Sequence, residues 1–591
     1  MANSPSIYRD RILAWKICCG DKELDSSYAL ISASIYSELN CIGKATLKFN
    51  AGDMEKQEFE ESDSKAFIPG NTIKFAAGDV NKLETLFEGI IMQVNIRIGK
   101  DFRSQMVVEC RDCAYPATQG RKNRIFEKKK DSEMIKEVLA AYGKVTVDAT
   151  SYQHPEMVQF YATDWDFALS RADACGLFAW TVGKDIKFFK PDVKAAPVLT
   201  VTYGVDMIDS DIGLSCADQY TKYEGVTWDP VQQTAVKVSA SAPTLNRQGD
   251  LQPEKLAEGD SLLIQTDAPT SDAALKEWVN SLALKAGLAR YQGTFSFYGA
   301  PEVVPGCLIE LKGLGNRFNG NAFIGSVRHI IMNNEWKTIA GIGFNPASIT
   351  DEPDVVSPPA SGYVPGLEGL HLGVVKQLEN DPAKECRILV ELPWMDGAKK
   401  ELWARLSTLY ATASSGSFFL PEKGDEVVVG FVNHQPGCPV IMGSVYGSKH
   451  QPPFEYEAKN AKKAFVTRSG LTIEFDEEKK IITLHTPGKN RIEINDDGKS
   501  IKLSDQNKNE LVLDSNGIQL TSAKDIKMTA KGNISLDATA NAEIKAKSDV
   551  AIDGANVKAT AKIGFSAKGN ATAELSASGQ TVVKGAMVMI N

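Results

Sequence analysis

The chain of 591 residues lacks any uncharged apolar stretch of 18 residues, so no segment of it is built to cross a bilayer as a helix. It also lacks the profile of a cleaved secretory leader. Arg9, Asp10, Arg11 and Lys16 flank or interrupt its first apolar patch, Ile12 to Cys19. Histidine is scarce: His154, His329, His371, His434, His450 and His485 are far apart, with no cluster at metal-ligand spacing. The 10 cysteines form neither a disulfide framework nor a zinc array, which points to synthesis in a reducing cytosol. An excess of positive charge is missing too, since 66 Lys and Arg stand against 75 Asp and Glu, a formal net charge of −9. That balance argues against nucleic acid or an anionic membrane surface as the main partner. With 43% apolar and 24% charged residues the composition is that of a globular protein, long enough for about four domains.

Short motifs that could carry chemistry have plainer readings. Cys110 and Cys113 make a CxxC with no second half, so they read as ordinary thiols. Gly313-Leu314-Gly315 lacks the helix of a dinucleotide loop and reads as a turn. Asp164 and Asp166 stand at a helix start, where capping and the macrodipole account for both. Lys128-Lys129-Lys130 reads as a solvated approach to a helix. The expectation is a protein without catalytic residues, cofactor or metal.

What is present is a repeat. From Gly517 the chain reads GIQLTSAK, DIKMTAKG, NISLDATA, NAEIKAKS, DVAIDGA, NVKATAKI, GFSAKGNA, TAELSASG, QTVVKGAM, VMIN, a step of eight with a single seven before Asn556. Apolar or small residues alternate within most blocks, the signature of strands with one inward face. Such strands cannot build a core singly. Three chains wound round one axis would complete it, and the trimer core is then expected at Ile526, Met528, Ile534, Leu536, Ile544, Val550, Ile552, Val557 and Leu575. Block-start Asn, Asp and Gly are types that tolerate left-handed corners, and no proline follows Pro487 to interrupt ladders. At a strand spacing of about 4.8 Å per block the rod would be roughly 40 Å long. At its end Met587, Val588, Met589 and Ile590 would present an open-edged apolar plateau that invites a cap.

The remainder divides by composition. Residues 1–350 mix barrel-like strands (NTIKFAAGD, LFEGIIMQVNIRI, TFSFYG, CLIELKGL) with three helices, Asp131 to Tyr142, Asp164 to Cys175 and Ser271 to Ala286, each stopped by a glycine. Residues 351–366 are a Pro-rich linker, and 367–455 read as a small five-stranded barrel. Residues 456–516 carry hairpins with turns at Asp476-Glu477-Glu478, Asp496-Asp497-Gly498 and Ser515-Asn516-Gly517, the collar of the 517–591 rod. An OB barrel commonly binds single strands of nucleic acid, but Leu370 to His450 holds eight Lys and Arg against nine Asp and Glu and has no basic stripe.

Pro421 to Gly447, PEKGDEVVVGFVNHQPGCPVIMGSVYG, resembles the OB-barrel signature of the VgrG family, the trimeric spikes of type VI secretion systems. Thr163 to Trp180, TDWDFALSRADACGLFAW, is similar to that family's hub motif, and the octads look like its needle. The resemblance implies a mostly β protein: an α+β hub of tube-like β-barrels with an α/β insert, an OB-fold barrel, and a C-terminal intertwined three-chain β-helix, or β-prism. It implies a homotrimer whose hub caps a hexameric Hcp tube among baseplate proteins. The last residues, Lys584, Gly585, Ala586, Met587, Val588, Met589, Ile590 and Asn591, would by the same resemblance hold a PAAR-repeat tip protein with its effector. It implies a chain that is cytoplasmic before firing and then expelled without a signal peptide, puncturing a target membrane without stable insertion. Two alternatives stand beside it: the spike of an extracellular contractile injection particle or phage-like tail, and a cell-wall hydrolase or glycan-binding appendage.

Overall fold

The computed structural model describes residues 3–5, 12–100, 103–257, 259–268 and 270–590, so Arg9, Asp10, Arg11 and Asn591 lie outside it. The chain divides into two compact units, Met1–Val445 and Tyr446–Asn591.

In the first unit a 13-stranded sheet is assembled from two halves. Period-two alternation builds the first: in Thr72–Asp79 the side chains of Ile73, Phe75 and Ala77 point inward while Thr72 and Lys74 face out. Together with Ile17, Phe49, Ile91 and Val108 they form one apolar core. The second half, from Leu199–Thr202 to Glu335–Ile342, buries Tyr291, Phe295, Phe297 and Ile324 in another. The halves join where Gly320–Met332 pairs antiparallel with Leu30–Glu38, Arg328 opposite Tyr36. At that seam the Tyr36 ring lies 5.0 Å from both the Lys44 ammonium and the Arg328 guanidinium, a double cation–π contact.

Three helices of more than two turns occur among the described residues: α1 (Asp131–Leu139), α2 (Asp164–Ala174) and α3 (Asp272–Leu288). Thr163 caps α2 by accepting the Asp166 amide, and Ser271 caps α3 by accepting that of Ala274. The expected glycine stop holds at Gly176, which is left-handed at φ +67°. It does not hold elsewhere. Helix α1 ends four residues before Gly143, and α3 runs through Gly287 to Leu288. A Cβ at Gly287 would approach Leu245 to 2.8 Å, so close packing rather than a cap selects glycine there. Gly313-Leu314-Gly315 is followed by a one-turn helix, Gly315–Phe318, with both glycines left-handed.

Where the first half meets the α1–α2 insert, Asp112 is almost fully buried and accepts the Ala114 amide at 3.1 Å. Burial pushes its carboxyl up to about 7, against the partial relief of its hydrogen bonds. Ionisation therefore opposes folding. The cost is absent below pH 4, where folded and unfolded forms are both protonated, grows between pH 4 and 7, and is complete above. Asp112→Asn is expected to raise the melting temperature at pH 8 while changing little at pH 4. The gain should be on the order of 2–4 kcal/mol at 1.4 kcal/mol per unit, checked by thermal melts across that range; equal effects at both pH values would contradict it.

Farther along, His371–Gln377, Ile388–Glu391, Glu401–Leu406, Pro439–Ser444 and Glu426–Phe431 close in that order into a five-stranded barrel, as the strand count in the sequence suggested. Its interior is Val375, Ile388, Val390, Ala404, Val427, Val429 and Ile441. The second unit opens with a seven-stranded antiparallel meander from Lys462–Val466 to Gly517–Thr521. Its last strand pairs with Glu510–Asp514, so the ladder runs into the first octad. Five of its turns carry a left-handed residue, at Gly470, Lys480 (φ +51°), Lys489, Lys499 (φ +47°) and Lys508, and Gly498 is not left-handed. The Asp496–Lys499 turn closes through the Lys499 amide on the Asp496 carbonyl at 3.1 Å.

Candidate functional site: the collar and octad needle

Each collar strand alternates polar and apolar residues, so the meander sorts them onto opposite faces. Register then aligns them across the strands. One row runs Phe465, Ile473, Leu484, Ile492, Leu503, Leu511, Leu520. A second runs Phe475, Ile482, Ile494, Ile501, Leu513, Ile518 beside it. The other face carries Glu474, Thr483, Glu493 and Lys502 in register. It is laced by ion pairs, Lys462 to Asp476 at 2.9 Å, Lys502 to Glu510 at 2.7 Å, and Arg491 to Glu493.

Among the described residues of the second unit nothing covers the apolar face. Ile473, Ile482, Leu484, Ile492, Ile494, Ile501 and Leu503 are each 37–43% exposed, an even value that neighbours in the sheet cannot reduce. Thirteen large side chains on one face exceed the apolar patch of about 300–600 Å² that a typical monomer shows. A sheet with one wet and one dry face needs a second layer on the dry one.

Beyond Thr521 the octads take their expected period but not a ladder. Two-residue bends fall at 523–524, 531–532, 539–540, 547–548, 562–563, 570–571, 578–579 and 586–587, with a single bend residue at 555 where the block is short. Between bends run segments without helix, turn or strand partner, and every described residue from 523 on is exposed. The bends occupy block ends, not the block-start Asn, Asp and Gly, and no described residue after Gly517 is left-handed. The expected trimer-core side chains Ile526, Met528, Ile534, Leu536, Ile544, Val550, Ile552, Val557 and Leu575 accordingly reach no core within one chain. Met587, Val588, Met589 and Ile590 are exposed at the tip. The collar rows were absent from the expected core set, although LTIEF, RIEIN and SIKLS carry the same alternation.

Elsewhere the ionisable clusters hold the first unit together. Asp131 accepts from Arg171 Nε at 2.7 Å, His154 Nε2 at 2.9 Å and the Cys175 thiol at 3.3 Å. Burial pushes Asp131 up, and the His154 hydrogen bond with the Arg171 charge overrides it, leaving the carboxyl below its usual range. Burial first and the Asp131 charge second push the Cys175 thiol far up. A thiol that donates to a carboxylate is held protonated, the reverse of an activated nucleophile. Asp164 accepts from Lys122 at 2.6 Å, Tyr142 at 2.8 Å and Gln159 at 3.0 Å as well as opening α2. Cys110 and Cys113 are pushed up by burial to about 12 and about 11.

A domain described as the type VI secretion system/phage-baseplate injector OB domain matches residues 371–446, the closed barrel. The type VI secretion system spike protein VgrG1c of Pseudomonas aeruginosa is 29% identical over 134 residues, 22% of this chain and 17% of that protein. The spike protein VgrG3 of Vibrio cholerae is 32% identical over 72 residues, 12% of this chain and 7% of its own length. The chain thus spans less than a fifth of the curated relatives it matches. Among solved structures, an Escherichia coli type VI secretion component aligns with 73% of this chain and 100% of its own, at 13% identity and a TM-score of 0.37. A model described as the Alg8 N-terminal domain matches residues 9–333. That match takes in more than half of the chain, which therefore belongs to the Alg8 N-terminal domain family and, over part of its length, is similar to the VgrG spike proteins.

Proposed function

We propose that this chain is the spike subunit of a contractile injection apparatus of the type VI secretion kind, working as a homotrimer. The observation that carries the reading is the uncovered apolar face of the collar, continued by octads that own no core. Two further copies of the chain are the cover that satisfies both at once, and wound strands give a rod that fails only by breaking many backbone pairs together. The N-terminal hub then seats on an Hcp-like tube among baseplate proteins. The end of the needle, Lys584 to Asn591, takes a PAAR-repeat tip protein and its effector, and sheath contraction drives the assembly through a target membrane.

The reading assigns the chain no catalysis, and the chemistry of Cys175 and Asp131 supports that. It places the chain in the cytoplasm before firing and in the target afterwards. A second reading, the spike of an extracellular injection particle or phage-like tail, is supported by the description of the OB domain, which embraces phage baseplates as well. Genes for a membrane complex beside this one would favour the first reading, and a free tail-particle cluster the second.

Native mass in solution tests the core of the proposal. Three times 64.2 kDa is expected, and a folded single-chain species with an ordered C-terminal region would overturn it. Removing residues 584–591 is expected to leave the trimer mass unchanged and abolish capture of the tip protein; undiminished capture would remove that contact from the proposal.

A further inference from the structure

Whole-chain charge conceals an asymmetry along the needle. Residues 522–553 hold five lysines against five acids, whereas residues 554–591 hold Lys558, Lys562, Lys568 and Lys584 against Glu574 alone. The distal half therefore carries a side-chain charge of +3 in a chain whose total is −9. All four lysines are exposed, and among the described residues none has a carboxylate partner within the chain, in contrast to Lys545, which pairs with Glu543.

We infer that the flank of the distal needle is a docking surface for the phosphate headgroups of anionic lipids. The inference rests on the trimeric reading above. With Lys584 left to the proposed cap, three chains bring six net positive side-chain charges from residues 554–583 into about four blocks, about 20 Å of rod at roughly 4.8 Å per block. That is one charge per roughly 3 Å, about half the line density of duplex DNA at about 1.7 Å per charge, and it draws a dense anionic partner.

The chemistry of the set selects the partner. Residues 522–591 contain no arginine, so the planar fork that recognises a carboxylate or a base edge in fixed geometry is missing. Lysines act as point charges on flexible stems and suit a fluid surface of headgroups. Lys558, Lys562 and Lys568 lie in two successive blocks short of the end where a cap would sit. The contact is one of lysines with headgroups, and it places adhesion before puncture.

The test uses the full chain. Its mass is measured first, since a single-chain mass strikes the trimeric reading itself. Vesicles of 30% phosphatidylglycerol in phosphatidylcholine, vesicles of phosphatidylcholine alone and a random 20-base-pair duplex are then compared by co-sedimentation and titration. The anionic vesicles are expected to bind at least tenfold more tightly than either competitor at low salt and to release in half-molar salt. The triple variant Lys558→Gln, Lys562→Gln, Lys568→Gln is expected to keep the trimer mass and lose at least tenfold of that binding. Lys584 is left in place because it belongs to the proposed tip contact. A trimer that binds both vesicle types equally, prefers the duplex, or is indifferent to the triple variant overturns the inference.

Discussion

Ile492→Asp is expected to leave this protein as single chains of 64.2 kDa rather than trimers. Ile492 sits in the middle strand of the collar, between Leu484 and Leu503 in one apolar row. Under three-fold symmetry a single substitution delivers three carboxylates to one layer. Each uncompensated buried charge costs several kcal/mol even after relaxation, so the sum reaches roughly 10 kcal/mol or more, comparable with the about 5–15 kcal/mol that holds a typical domain. The partly buried position in one chain becomes a fully buried one in the assembly, which is why the effect should appear in mass before it appears in the folding of the first unit. Glu493→Gln, one residue away on the ion-paired face, is the control and should retain the trimer. Ile534→Asp and Leu536→Asp in the octads are expected to act in the same direction. A heat-resistant trimer recovered at full yield from Ile492→Asp would mean that this face is covered by something other than copies of the chain.

The parts of the architecture legible beforehand are those written in local period. Alternation marked the collar strands and the octads, and the irregular block before Asn556 reappears as the single bend residue at 555. Barrel strands such as Thr72–Asp79 and Leu308–Lys312 were legible for the same reason. Glycine gave mixed guidance because it answers two demands. Gly176 meets a left-handed cap, while Gly287 meets the Leu245 side chain inside a helix, and one letter cannot say which. Which face of the collar is dry followed only from register, since each strand alone shows just two or three apolar residues. Long-range ionic contacts were out of reach altogether. Nothing local to Asp112 announces its burial, and Asp131 meets His154 and Arg171 across 23 and 40 residues.

The second large effect comes from such a contact. Asp173, in the last turn of α2, accepts the Lys285 ammonium of α3 at 2.5 Å and the Ser348 hydroxyl at 2.9 Å, and its carbonyl accepts the Ser281 hydroxyl at 2.5 Å. One residue thus ties the α1–α2 insert to α3 and to the segment leaving the second half of the sheet. Lys285 is 3% exposed and Asp173 is its one ion-pair partner among the described residues. Asp173→Ala should therefore cost about 3–5 kcal/mol, most of it the penalty for an ammonium left alone in a dry site. In a melt followed by near-ultraviolet circular dichroism the first unit should unfold well below the wild type. Lys285→Met in the same chain should restore most of the loss, because removing both charges spares their desolvation while keeping the packed volume. If the double variant melts as low as Asp173→Ala, the hydroxyl of Ser348 rather than the buried charge is what the Asp173 carboxylate is there to hold.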